Sequence, residues 1–320
     1  MRIVILDGYT VNPGDNPWTE LEKLGDLTVY DRTDQDEVLE RAADAEIILT
    51  NKTLLTAEII NSLPKLSFIG VLATGYNVVD LGAAAERKIP VCNVPGYSPP
   101  SVAQHVFALL LEFTNRVSMH DLAVKNGEWA TQEDFCFWKS PLLELAGKKM
   151  GVVGFGGIGQ MVGTIAHGFG MEVLAYAPRP KQAPPYAPFR FAGLEELFRE
   201  ADVISLHCPL TADNERFINR DMLESMKSTA ILINTARGPL IDEAALAEAL
   251  CKGKIAGAAL DVVEEEPMLP GNPLSGAPNL IITPHIAWAT LEARSRLTSI
   301  MVGNVASYLR GKPKNVVNGL

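Results

Sequence analysis

Short apolar runs alternate with segments of helical spacing, and the alternation occurs twice along the chain. In the first hundred residues the runs at 2–6, 27–29, 47–49, 68–71 and 90–92 are too short for helices and read as strands. Between them, residues 18–24, 36–43, 57–62 and 79–87 carry helical spacing. Such alternation predicts a parallel sheet covered by helices on both faces. The segment VPGYSPP (94–100) breaks the pattern with three prolines and one glycine. A single long helix is expected over 101–126, stopped by Gly127. Strands resume at 150–153, 172–175, 203–206, 231–233, 256–260 and 280–282, with helices at 158–168, 194–199, 220–225 and 243–251 and a closing helix over 290–309. Five prolines between Pro178 and Pro188 (178, 180, 184, 185, 188) mark a surface loop.

A length of 320 residues accommodates about two domains. The formal charge of −10 argues against nucleic acid or an anionic membrane as partner, since both select basic surfaces. The richest apolar run, 106–111, is far too short to cross a bilayer, and the start MRIVILDG reads as a buried strand rather than a leader. Four cysteines (92, 136, 208, 251) show no CxxC spacing, so a metal centre or disulfide framework is not expected, and free thiols suit a reducing cytoplasm.

The strongest local signal is GVVGFGGIGQ. Gly154, Gly156 and Gly159 form G-x-G-x-x-G directly after a strand and before a helix. The first glycine permits the tight turn, the second lets backbone approach a pyrophosphate, and the third lets helix pack on strand. The next strand should end in an acidic residue that reads the ribose of NAD. Ala177 stands there, 18 residues past Gly159, with Arg179 and Lys181 just beyond. A nearby arginine can accept the 2′-phosphate of NADP, so the cofactor is NAD or NADP with a lean towards NADP or dual use.

Three successive strand ends then carry polar residues. NTARG places Arg237 after one strand, where a guanidinium fork suits a planar carboxylate. ALDVVEEEP follows the next with Asp261 and the run 264–266, of which one carboxylate can turn inward. ITPHIAW ends the last with His285. An anion clamp, a proton donor and a carboxylate that favours the protonated donor are the parts needed for hydride chemistry on a 2-oxo or 2-hydroxy acid.

These segments resemble the D-isomer-specific 2-hydroxyacid dehydrogenases over essentially the full chain. VVGFGGIG, HCPLT (207–211), NTARGPLIDEAAL, GAALDVVEEEP and TPHIAW match that family's blocks in order and spacing. LATGYNVVD (72–80), DFCFW (134–138) and HIAW are most similar to its glycerate dehydrogenase/hydroxypyruvate reductase branch. The resemblance implies an α/β fold of two doubly wound, Rossmann-like domains with a cleft between them. Residues 1–98 plus 288–320 would form a flavodoxin-like substrate domain, and 99–287 the NAD(P)-binding domain. It implies Arg237, Glu266 and His285 as catalytic residues, Glu266 pairing with His285. Ala73, Thr74 and Gly75, with Arg237 and His285, would bind substrate. Thr74, Gly154, Gly156, Gly157, Ile158, Gly159, Ala177, Arg179, Pro209, Thr235, Ala236 and Asp261 would bind the cofactor. Members are usually homodimers, and Trp138 is a candidate to reach a partner's active site. No regulatory extension of the kind some phosphoglycerate dehydrogenases carry is expected after the last helix. The implied reaction is reduction of hydroxypyruvate or glyoxylate. The alternatives are a D-lactate, phosphoglycerate or phosphite dehydrogenase, or a non-catalytic NAD(H)-sensing corepressor-like dimer.

Overall fold

The computed structural model describes residues 1–179 and 181–320, so Pro180 of the expected proline-rich loop lies outside the described residues. The chain divides into two compact units, Met1–Ser98 with Trp288–Leu320, and Pro99–Ala287. The strands are β1 (Arg2–Ile5), β2 (Asp26–Val29), β3 (Ile47–Thr50), β4 (Phe68–Val71), β5 (Val91–Cys92), β6 (Lys149–Val153), β7 (Glu172–Tyr176), β8 (Phe189–Phe191), β9 (Val203–Leu206), β10 (Ile231–Asn234), β11 (Gly257–Leu260) and β12 (Leu280–Ile282). The helices are α1 (Thr19–Glu22), α2 (Val38–Ala42), α3 (Ala57–Ser62), α4 (Leu81–Glu86), α5 (Pro99–Asn115), α6 (Val117–Lys125), α7 (Gly157–Gly168), α8 (Leu194–Glu200), α9 (Arg220–Ser225), α10 (Glu243–Cys251) and α11 (Leu291–Leu309).

In the first unit five parallel strands run in the order β2-β1-β3-β4-β5. Alternate residues enter opposite cores. Ile3, Ile5, Ile47, Leu49 and Phe68 point to one face, and Val4, Ile48, Ile69, Val71 and Val91 to the other. Burial on both faces is why these strands read as unbroken apolar runs. The closing helix α11 lays Ala293, Leu297, Met301 and Val305, spaced four apart, into the first of those cores. Gly70 permits the close approach, because a Cβ there would stand 2.5 Å from Leu49 Cδ2 and 2.7 Å from the Met301 sulfur.

In the second unit seven parallel strands run β12-β11-β10-β9-β6-β7-β8, so the order reverses between β6 and β9. Met150, Val152, Val173 and Ile231 pack against α5 and α7, while Val153, Leu174, Ile204 and Leu232 pack against α8, α9 and α10. Ligands of open parallel sheets bind at the carboxyl edge, at such a reversal.

Two expectations fail locally. The helix expected over 101–126 is two helices, parted at Arg116, whose backbone is left-handed (φ 50). Its guanidinium lies 4.5 Å over the Phe113 ring, and the apolar spacing runs on through the break, so the pattern could not reveal it. The edge strand β8 was masked by the prolines before it. Among the described residues no helix is long and apolar enough to cross a membrane.

Candidate active site

The glycine-rich turn is built by backbone crowding. Gly154 has φ 96, and a Cβ on it would stand 2.7 Å from Cys208 N and from the carbonyl of His207. A Cβ on Gly159 would stand 2.1 Å from Gly154 O. Gly156 is the opposite case. It caps α7 in extended conformation with no side-chain cap, and nothing lies within 4 Å of where its Cβ would be. Gly157, Ile158 and Gly159 form the first turn of α7, whose N–H groups lack intrahelical acceptors and favour anions. Two glycines forced by packing and one facing open space make a cradle that fits a dinucleotide pyrophosphate.

Around it, Ala177 is half-buried past β7, and Arg179 is exposed with no ion-pair partner among the described residues. Past β9, Pro209 is exposed and its carbonyl accepts from Asn214 Nδ2 at 2.8 Å. His207, half-buried as a residue, bonds Ser205 Oγ through Nε2 at 2.8 Å, while its sealed Nδ1 has no partner. Burial pushes its pKa down to about 3, so it stays neutral at ordinary pH. The buried Thr235 Oγ1 is likewise unpartnered. Two orphaned polar atoms on adjacent strand ends are what an edge prepared for a polar ligand presents.

Arg237 follows β10. Buried Asn234 shapes its turn: Oδ1 accepts from Ala236 N at 2.9 Å, and Nδ2 donates to Arg237 O at 2.8 Å. The exposed guanidinium contacts the protein through Nη1, which donates to Ala236 O at 2.6 Å. Gly238 then presses on the next strand end, where a Cβ would stand 1.9 Å from the carbonyl of Val263. That approach needs glycine and fixes the NTARG turn against the VVEEEP turn.

The carboxylate run after β11 resolves into separate roles. Glu264 pairs with Arg216, and Glu265 is exposed. Glu266, also exposed, is directed at His285: its Oε2 lies 2.5 Å from His285 Nδ1, and its Oε1 accepts from Val263 N at 3.3 Å. His285 itself has φ 54. A left-handed non-glycine residue costs of order 1–3 kcal/mol and persists only where its surroundings enforce it. The enforcing group is Asp261, 1% exposed. Its carboxylate accepts from Ile286 N at 2.9 Å, Ala287 N at 2.8 Å and Thr283 Oγ1 at 2.6 Å, with His105 Nε2 at 3.4 Å. Burial alone would raise its pKa, but His105, Thr283 and the two amides outweigh burial and hold it low. The Asp261 carboxylate thus holds the histidine turn in place. Sequence reasoning placed Asp261 in the cofactor site and did not foresee that it pins the histidine turn; the structuring roles of Asn234, His207 and Gly238 went unremarked, although Asn234 and Gly238 begin and end the NTARG turn.

Strand order brings these groups to one edge. His285 follows β12, Asp261 and Glu266 follow β11, Arg237 follows β10, and the glycine turn follows β6. In the first unit, Ala73, Thr74 and Gly75 follow β4, also at the carboxyl edge of their sheet. Among the described residues no cluster of three His, Cys, Asp or Glu suits a metal.

The family described as "D-isomer specific 2-hydroxyacid dehydrogenase, NAD binding domain" matches residues 107–287. The chain is 50% identical to a hydroxypyruvate reductase of Blautia hydrogenotrophica, over 99% of this chain and 100% of that protein. It is 41% identical to a glycerate dehydrogenase of Methylorubrum extorquens, over 88% of each. The TT0316 protein of Thermus thermophilus superposes with a TM-score of 0.86 at 38% identity, covering 99% of this chain and 100% of that one. Its glycine cradle, its Arg–Glu–His series of strand ends and its full-length similarity to these proteins establish that the chain belongs to the D-isomer-specific 2-hydroxyacid dehydrogenase family.

Proposed function

We propose that the protein reduces hydroxypyruvate, and glyoxylate beside it, to the D-2-hydroxy acid, as an NAD(P)-linked dehydrogenase. The observation that carries the reading is the His285–Glu266 pair on the edge that also holds Arg237, in a chain half identical to a hydroxypyruvate reductase.

When bound, the reduced nicotinamide supplies the hydride to the carbonyl carbon. The protein supplies the rest. With His285 Nδ1 engaged by Glu266, Nε2 is the nitrogen free to deliver a proton to the substrate's carbonyl oxygen. Glu266, bonded to Nδ1, fixes the ring's orientation. Arg237 holds the substrate carboxylate with a two-pronged donor set and offsets charge growing on the carbonyl oxygen. The N–H groups of Ala73, Thr74 and Gly75, at the carboxyl edge of the first unit's sheet, are donors suited to a substrate carboxylate. The first turn of α7 holds the pyrophosphate, with Pro209, Thr235 and Ala236 lining the rest of the cofactor site.

NADPH is expected to serve at least as well as NADH, because Ala177 offers no carboxylate to a ribose 2′-hydroxyl and the exposed Arg179 stands close by. The direct test is oxidation of NADH and of NADPH with hydroxypyruvate, glyoxylate, pyruvate and phosphohydroxypyruvate. Hydroxypyruvate should give the highest kcat/KM. A tenfold preference for pyruvate or the phosphorylated acid points to the lactate or phosphoglycerate alternative, and no turnover on any to a sensor. A tenfold preference for NADH overturns the cofactor reading.

A homodimer is the further expectation. Val117, Leu122, Trp129, Phe135 and Trp138 are all exposed within one segment of the second unit, Phe135 at 88%. A run of exposed apolar side chains of this kind marks an association surface, with Trp138 a candidate to reach the partner's site. Light scattering should return twice the chain mass; the mass of one chain rejects the dimer.

A further inference from the structure

The carboxyl-edge loop of the first unit is pinned through its carbonyls and left open at its amides. Leu72 O accepts from Asn51 Nδ2 at 2.6 Å, Ala73 O from Val94 N at 2.9 Å, and Thr74 O from Asn93 Nδ2 at 2.8 Å. Thr74 Oγ1 is turned inward as well, donating to Val94 O at 2.9 Å. Among the described residues, the N–H groups of Ala73, Thr74 and Gly75 donate to no protein acceptor. A peptide unit whose carbonyl is held on one side presents its N–H on the other. Fixing these carbonyls therefore aims a fan of donors outward, the arrangement that receives an anion.

The bond to Thr74 O does not end at Asn93. Asn93, 7% exposed, belongs to a closed ring of three asparagines. Asn304 Nδ2 donates to Asn93 O at 2.9 Å, Asn93 N donates to Asn315 O at 3.1 Å, and Asn315 Nδ2 donates to Asn304 Oδ1 at 2.8 Å. Asn304 is 2% exposed on α11, and Asn315 lies in the tail, where Cys92 bridges Val316 antiparallel to β5. The backbone of Asn93 is thus clamped from two sides, and its remaining donor reaches Thr74 alone. A buried amide placed for packing needs only one partner; here each bond closes a circuit whose single exit is the loop that binds substrate.

We infer that Asn304 is a positioning residue for substrate binding. Through Asn93 it holds the Thr74 carbonyl and so aims the amides of 73–75. This rests on the reading that those amides receive the substrate carboxylate. Asn304 touches neither substrate nor cofactor; it acts at two removes, from the last helix of the chain.

The test uses the full-length enzyme and three variants. Asn304→Leu keeps the branched shape and removes both side-chain bonds. Asn315→Gly removes only the donor to Asn304, at a backbone (φ 56) where glycine is at ease, so folding is spared. Gly75→Pro removes one loop N–H directly. Steady-state kinetics with hydroxypyruvate, oxamate inhibition, NAD(P)H affinity by fluorescence and thermal melting are measured on each. Asn304→Leu should raise KM and the oxamate Ki about tenfold, with kcat within threefold and NAD(P)H affinity within twofold. Asn315→Gly should raise KM two- to fourfold with little change in melting. A purely structural role lowers the melting temperature and leaves KM in the surviving enzyme alone, and that outcome overturns the inference. If Asn304→Leu does not fold, an unchanged KM in Asn315→Gly overturns it equally. Should Gly75→Pro also leave oxamate inhibition untouched, the carboxylate role of the loop fails. If Gly75→Pro weakens oxamate while both asparagine variants do not, the positioning role alone fails.

Discussion

His285→Ala is expected to lower kcat for 2-oxo acid reduction by about 10²- to 10⁴-fold, the span that a positioned general acid contributes. NAD(P)H affinity should stay within twofold, because the cradle at Gly154–Gly159 is formed by other strand ends. The left-handed backbone at 285 complicates alanine, which tolerates φ 54 poorly. His285→Asn resolves this, since asparagine enters that region readily and carries no titratable proton. Both variants should lose activity alike while Asn melts nearer to wild type. Reduction takes up a proton overall, so the equilibrium should move towards oxidation as pH rises, in the wild type and the variants alike. Turnover within tenfold of wild type in His285→Asn removes the histidine from the chemistry.

Arg237→Lys keeps the charge and removes the fork. A charge-assisted hydrogen bond contributes about 1.5–3 kcal/mol, so losing one prong of a two-pronged grip should cost about 10- to 10²-fold in kcat/KM. The loss should fall on substrate: oxamate inhibition weakens in parallel, whereas NAD(P)H titrates normally. The turn itself should survive, because it is held by the side chain of Asn234 and the bare approach of Gly238 rather than by the guanidinium. An unchanged oxamate Ki in the lysine variant would sink the clamp.

Most of this architecture was legible because parallel strands buried on two faces leave unbroken apolar runs, and because strand ends in such sheets are where chemistry-bearing residues collect. Arg237 and His285 stood out on that ground, whereas Glu266 was named only through the family resemblance. Of the acidic run 264–266, spacing alone could not say which carboxylate meets the histidine; in the structure it is Glu266, bonded to His285 Nδ1. The left-handed break at Arg116 was hidden because apolar spacing continues across it. Asp261 and the ring of Asn93, Asn304 and Asn315 were hidden for a different reason. Their roles are hydrogen bonds between segments up to some two hundred residues apart, and periodicity carries no record of such bonds.

Each of the two units keeps its own sheet and its own pair of cores. In the function proposed above, proton delivery and the guanidinium clamp fall to one, and the carboxylate-receiving amides to the other. Selection can therefore retune which acid is accepted by rewriting short loops after β3 and β4 without disturbing the machinery that moves the proton. A catalogue of kindred chains with one chemistry and divergent diets is the expected historical product of that partition.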